Sequence, residues 1–504
     1  MEARRRGVGR AWMGSGRSYA ASDLTKGLYH WRLTAPAGSQ GAQDIQGRMI
    51  VRKYELRDEV VILSAIVVAG VVTYLPAFNN FFIQDDFYYL SQIRLVRENP
   101  SHLLAIFPGF YRITTALFFL LGDLVFGLNP VGYYALGLAV HLIVSYFVYL
   151  LVRRTIPHGA AAFVAALFFA VYERHREAVF WISAVGDLLY TLGVLLCLYF
   201  WRHLSPGDAF WKRRYLYSIV AFSLAALSKE SSIVIVPLMV ATDFVHWDKS
   251  PRQFISRLPL YLPFVVVSAL YAVLVFRSNP IIAHGFYAVT WNFFTVYAKT
   301  LNTLLKFVFI GLLLILFFFG KTSVGRALRE ERAMRFYAVW LLVAPIPYCF
   351  LTYLDQIPSR HTYLASVGTA GLVGILAARL NAELVLRYSK RVGYFLLLLL
   401  VGGNMAYVWI KDKQFVIRAA PTRLVIDTLQ RDERSGEIGE RKVYVVCDSQ
   451  DFQIPIRGAV ELFTQHEKHP LIFLKSSEKD RVHPASQDHV FQCDEKAEYL
   501  SLVR

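Results

Sequence analysis

From residue 59 onward the chain alternates long apolar runs with short polar stretches rich in Lys and Arg. A helix needs about 20 mostly apolar residues to cross the hydrocarbon core of a bilayer. Runs of that character recur at 59–78, 131–152, 159–173, 186–203, 214–227, 231–247, 258–276, 301–320, 336–354, 362–380 and 392–410, so about eleven transmembrane helices are expected. The third and fifth are short and read as tilted crossings, or as helices that stop where polar backbone is buried in protein. A further apolar piece, ITTALFFLLGDLVFGL at 113–128, carries an internal Gly122-Asp123 pair and reads as a helix lying at the outer membrane face.

Loops kept in the cytoplasm carry an excess of Lys and Arg. Arg52/Lys53/Arg57, Arg153/Arg154, Lys212/Arg213/Arg214, Lys249/Arg252/Arg257, the Lys321–Arg335 stretch and Arg387/Lys390/Arg391 all fall on one side if 113–128 does not cross. The expected topology is therefore a multi-pass inner-membrane protein with a cytoplasmic N-terminus. The absence of long hydrophilic insertions favours a bacterial membrane. Residues 1–57, rich in Gly, Ser, Ala and Arg, read as a disordered cytoplasmic extension, or as a start placed too early with Met49 the true one.

The tail, 411–504, follows an odd number of crossings and is expected outside. KVYVVC (442–447), PLIFL (470–474) and HVFQC (489–493) have strand character, and AVELFTQ (459–465) reads as a helix between them. The expected fold is an α-helical polytopic membrane domain over 58–410, with an outer loop at 79–130, and a small extracytoplasmic α/β domain.

Composition narrows the class. Hydrophobic residues make up 55% of the 504 and charged residues 18%, with a mean hydropathy of +0.39, which excludes an ordinary soluble domain. The net charge of +17 lies in clusters between apolar runs, as expected beside anionic lipid, and gives no nucleic-acid role. Cys197 and Cys349 sit in apolar runs and read as small hydrophobes. Cys447 and Cys493, in the polar tail, are placed to pair as a disulfide if the tail is outside the cytoplasm. No spacing resembles a zinc site.

Four ionisable clusters share the outer face in this topology: Asp85/Asp86 in FIQDDFYYL, YERHREAVFW (172–181), SKESS (228–232) and IPSRHTY (357–363). Charges at or near membrane depth are costly and usually mark function. Carboxylates opposite Arg, Lys and His suit the transfer of a sugar from a polyprenyl phosphate to a hydroxyl. A carboxylate takes the acceptor proton, and cations hold the departing phosphate. Two carboxylates also leave room for a divalent cation, but no octahedral oxygen site assembles from the sequence and no metal ligands are assigned. Other residues have plainer readings: Asp187 as a helix cap, His141 as a hydrogen-bonded packing residue, and Gly368, Gly371 and Gly374 as a face for helix contact.

FIQDDFYYL, FYRITTALFF, FGLNPVGYYALGLAVHLIVSYFVYLLVRR, ALFFAVYERHREAVFWISAVGDLLYTL, LAALSKESSIVIVPLMVATDF and SRHTYLASVG together resemble the GT-C glycosyltransferases. The similar branch is that of the transmembrane, tetratricopeptide-bearing protein O-mannosyltransferases, and the resemblance covers about residues 55–410. No tetratricopeptide helices follow here, so a role built on them does not carry over. The resemblance implies a catalytic acid or pair at Asp85 and Asp86, with Asp85 favoured. It implies phosphate contacts from Lys229 of the intact SKES, from Arg360 and His361, and from Arg112, which lacks the usual following proline. His175, Glu177 and Glu230 are implied as supporting residues; Tyr172-Glu173 replaces the usual His-Pro. The implied partners are a polyprenyl-phosphate-sugar donor, a protein, lipid or glycan acceptor, and the bilayer. Two rivals remain: a transporter or flippase of lipid-linked sugars, and an oligosaccharide or O-antigen ligase. A third reading, a binding tail on a membrane anchor, leaves the gathered charges without a purpose.

Overall fold

The computed structural model describes residues 59–503 apart from 105–110, 157–158, 202–211, 247–250, 279–281, 283, 322, 326–331, 436–440, 449, 465–468, 482–483, 486–487 and 495–498. The chain divides into Met1–Val60 and Val61–Arg504, and the architecture below is that of the second unit. The expectations for 1–57 lie outside the described residues.

Among the described residues, seven helices are long and apolar enough to cross a membrane. The first is α1 (Glu59–Asn79). Next come α2 (Asp85–Glu98), α3 (Ile113–Phe126), α4 (Pro130–Thr155) and α5 (Gly159–Val171). They are followed by α6 (Val185–Trp201), α7 (Arg213–Ala226), α8 (Ile235–His246), α9 (Pro251–Ser278) and α10 (Asn292–Phe319). The helical part closes with α11 (Arg332–Val343), α12 (Ala365–Arg387) and α13 (Lys390–Ser435). The long, apolar ones are α1, α4, α6, α9, α10, α12 and α13. The protein is thus a polytopic membrane protein, as expected.

The expected crossings at 159–173, 214–227, 231–247 and 336–354 fall on the shorter helices α5, α7, α8 and α11. At 1.5 Å per residue, helices of 12–14 residues reach only about 18–21 Å. Each stops for a readable reason. Polar Glu173 follows α5, and Ser228-Lys229-Glu230 stands between α7 and α8. Pro345 and Pro347 break the run after α11. These breaks carry the candidate chemistry, because backbone can leave a helix at depth only where protein satisfies it.

The core gathers α4, α5, α6, α7, α11 and α12. Close approach is built from small residues: a Cβ on Gly371 would stand 2.4 Å from the Tyr337 ring, and one on Gly374 2.4 Å from the Ala161 carbonyl. His141 in α4 bonds through Nδ1 to the Tyr363 hydroxyl (2.7 Å) and through Nε2 to the Ala170 carbonyl (3.0 Å), tying three elements together.

Helix α13 has 46 residues, about 69 Å at helical rise. That is twice a bilayer core, so one continuous helix serves both the membrane part and the tail. In the tail, β1 (Val443–Val446), α14 (Gln450–Phe463), β2 (Leu471–Leu474), β3 (His489–Asp494) and β4 (Tyr499–Leu502) form a sheet of order β2-β1-β3-β4. β1 runs parallel to β2 and β3, and β4 is antiparallel to β3. Val425 and Leu429 of α13 are buried with Val443, Val445, Ile456 and Phe491. Cys447 and Cys493 are joined as a disulfide.

Candidate active site

The site begins with a strained residue. Gln84 has φ +46°, a backbone region that non-glycine residues rarely enter. It starts α2 so that adjacent carboxylates, about 100° apart around a helix, face different surroundings. Asp86 turns inward, fully buried. It accepts the backbone N–H of Ile83 (2.9 Å) and of Ser183 (2.7 Å), and the Ser183 hydroxyl. Burial pushes its carboxyl up to about 7 despite these bonds. Asp85 turns into a cavity, where among the described residues it accepts no hydrogen bond. Its side chain is open to that space, yet burial among the surrounding protein raises its pKa against Arg360 and Arg112.

The cavity, about 240 Å³, is lined by Asp85, Tyr89, Arg112, Asp187, Lys229, Glu230, Arg360 and His361, with Trp181, Tyr348 and Tyr353 among its apolar walls. Three cations reach it, each with its own carboxylate. The turn after α7 places Lys229 so that Nζ donates to both oxygens of Asp187 at 2.6 Å. Arg112 stands just before α3, whose Thr114 bonds the Ser228 hydroxyl at 2.7 Å. The Arg112 guanidinium meets Glu230 through Nη2 (2.8 Å) and Nε (3.3 Å). Arg360, on the 3-10 turn Ser359–Thr362, pairs with Glu177 and lies 4.4 Å over the Trp181 ring.

The partners set the protonation states. Burial works to raise Glu177, but Arg360 beside it, with hydrogen bonds from the Arg360 backbone N–H and the Ser359 hydroxyl, carries it below its ordinary value. Burial lowers Lys229 to about 8, against the pull of Asp187. Burial, with Lys229 and Arg360 nearby, lowers His361 to about 3. His361 is therefore neutral, and Lys229 Nζ lies 2.9 Å from its Nδ1. An ammonium can only donate, so Nδ1 accepts and Nε2 keeps the proton. The imidazole stacks flat on Tyr348, 4.5 Å between centroids.

Of the residues singled out from sequence, Asp85, Arg112, Lys229, Glu230, Arg360 and His361 line this cavity. Glu177 stands behind Arg360. Asp86 and His175 do not line it. His175 is fully buried, with Nε2 2.6 Å from the Ser366 hydroxyl. Asp187, read from sequence as a helix cap, is the carboxylate of Lys229. The available signal was a carboxylate at the start of an apolar run, but its partner is 42 residues away. Among the described residues, no three His, Cys, Asp or Glu side chains stand close enough to hold a metal ion. Beside the charged cavity lies an apolar one, with Phe222, Tyr271, Phe276 and Tyr287 in its walls. It shares Glu230, Tyr348 and Leu351 with the first.

No family model matches the chain. A stretch of 126 residues is 30% identical to the protein O-mannosyl-transferase Tmtc1 of Drosophila melanogaster, covering 25% of this chain and 14% of that one. TMTC3 of Mus musculus is 30% identical over 127 residues, with the same shares. The matches thus take in a small part of those relatives' length. Among solved structures, the archaeal oligosaccharyltransferase AglB from Archaeoglobus fulgidus, in complex with an inhibitory peptide and a dolichol-phosphate, superposes with a TM-score of 0.50 at 13% identity. That match covers 81% of this chain and 64% of AglB. At this identity the likeness is one of fold.

Proposed function

We propose that this chain, whose helical part has the fold of the GT-C glycosyltransferases, moves a sugar from a polyprenyl-phosphate-linked donor to an acceptor hydroxyl at the outer membrane face. The observation that carries this reading is one cavity in which Asp85, which among the described residues is in no ion pair, faces Arg112, Lys229 and Arg360.

In the step proposed, the acceptor oxygen bonds to the anomeric carbon as Asp85 takes its proton. The bond from that carbon to the phosphate oxygen breaks, and the electron pair leaves with the phosphate. A raised pKa makes Asp85 a better proton acceptor than an ordinary surface carboxylate. Charge grows on the phosphate as the bond breaks, and the three cations stand ready to share it. Neutral His361 keeps Lys229 aimed without competing for the anion. The apolar cavity beside Glu230 and Tyr348 suits the first isoprenoid units. Asp86, bonded to Ser183 and Ile83, holds the start of α2 rather than acting on substrate.

The outward orientation rests on the basic clusters and on the Cys447–Cys493 disulfide, which belongs to an oxidising compartment. Purified chain given synthetic polyprenyl-phosphate monosaccharides and an acceptor panel should yield a glycosylated product. Asp85→Asn should lower that transfer by about 10²–10⁴-fold without lowering the amount of inserted protein. Near wild-type transfer by Asp85→Asn refutes the assignment. A sugar that changes only its side of a vesicle membrane would make the protein a transporter.

A further inference from the structure

The tail shares no residue with the cavity, yet it grips the helix that carries Asp85. Phe463, the last residue of α14, places its ring among Phe81, Phe82 and Phe87, with centroids 5.4, 6.1 and 6.4 Å away. α14 comes this close because Gly458 has no side chain: a Cβ there would stand 2.9 Å from Phe87 Cβ. From α2, Arg94 donates through Nη2 to the Leu462 carbonyl (2.9 Å) and through Nη1 to the Glu461 carbonyl (3.5 Å). These are last-turn carbonyls of α14, which have no partner within their own helix. Gln430 of α13 donates to the Phe463 carbonyl at 3.0 Å. Asn80, just ahead of the strained Gln84, donates to Asp412 of α13 at 2.9 Å. α2 is thus held on one flank by α3, where Tyr89 stacks on Phe119 at 4.7 Å, and on another by the tail.

A left-handed residue such as Gln84 persists only where its surroundings over-determine it. Asp85 follows it directly, so a loosened α2 would let that carboxyl wander. We infer that the C-terminal α/β unit is a brace for Asp85, with Phe463 and Arg94 as positioning residues that touch neither substrate nor cavity. This inference rests on the general-base reading above, and its test separates the two.

The experiment uses the full chain in nanodiscs, as wild type, Phe463→Ala, Phe463→Leu, Arg94→Ala, Arg94→Lys and Asp85→Asn. Hydrogen exchange of the amides at 86–90 should quicken by about 10–100-fold in both alanine variants, with α12 unchanged. Transfer from a synthetic polyprenyl-phosphate sugar should lose about tenfold or more in kcat with KM for the donor unmoved, as expected of a misplaced reacting group. Phe463→Leu and Arg94→Lys should recover part of both. Arg94 is exposed, so its alanine variant folds even if Phe463→Ala does not. Unchanged exchange at 86–90 in Arg94→Ala overturns the brace, and so does faster exchange with undiminished kcat. If Asp85→Asn transfers normally, the general-base reading fails, and the exchange data still decide whether the tail holds α2.

Discussion

Among the described residues, arginine laid over tryptophan and paired with a carboxylate occurs twice in the helical part. In one place Arg360 lies over Trp181 and pairs with Glu177. In the other Arg257 lies 4.7 Å over Trp201 and meets Asp243 at 3.4 Å, while Trp201 and Tyr261 also donate to Asp243. The chemistry is nearly the same and the surroundings are opposite. Arg257 and Asp243 are 1% and 3% exposed. Arg360 and Glu177 keep 24% and 14% of their side chains open, beside Asp85, which among the described residues is in no ion pair. A buried ion pair between helices is therefore not in itself a functional mark. In the proposed reading, access to the cavity separates the candidate site from a rivet between helices.

The difference should show in mutants. Arg257→Met leaves Asp243 buried without its cation, at a cost of about 3–5 kcal/mol. The amount of folded protein should fall, as read by thermal unfolding, with transfer per folded molecule retained. Arg360→Met should do the reverse, losing about 10²–10³-fold in kcat with an unfolding temperature close to wild type. Arg360→Lys keeps the charge but not the planar fork or the stacking, and a loss of about tenfold is expected.

Transfer should follow a bell-shaped pH profile. Asp85 must be ionised to accept a proton, and its raised pKa sets the acid limb above the ordinary carboxylate value of about 4. Lys229 must be charged to hold phosphate, so activity should fall as pH climbs through about 8. Lys229→Arg should remove that alkaline limb. The smallest effect concerns Asp86. Its pKa is raised from 3.8 to about 7, so the folded state holds a proton there that the unfolded state has released. The stabilisation it contributes is complete below about pH 4 and lost as pH rises through about 7. Asp86→Asn should flatten the pH dependence of thermal unfolding over that window, with little change in donor KM.

Much of this was legible from pattern. Apolar runs located the long helices, and ionisable residues at the ends of those runs located most of the cavity's cations. The helices at 214–227 and 231–247 differ in their bounds from the apolar runs because hydropathy does not register that α7 ends before Ser228-Lys229. Asp187 was read as a helix cap because its partner Lys229 comes from a distant segment, and no local spacing encodes it. The sequence favoured Asp85 over Asp86 only through the resemblance; the physical difference, Ser183 bonding Asp86, lies 97 residues away. β4, four residues of YLSL, is too short to stand out by alternation alone.

The central claim is that a proton acceptor and phosphate-holding cations meet in one cavity open to the outer face. Impermeant maleimide applied to Asp85→Cys and to Arg360→Cys, in sealed vesicles of known orientation, tests it most directly. Both cysteines should react from the outer side only, and polyprenyl phosphate should slow both. Reaction from opposite sides of the membrane, or labelling that polyprenyl phosphate leaves untouched at both positions, would contradict it.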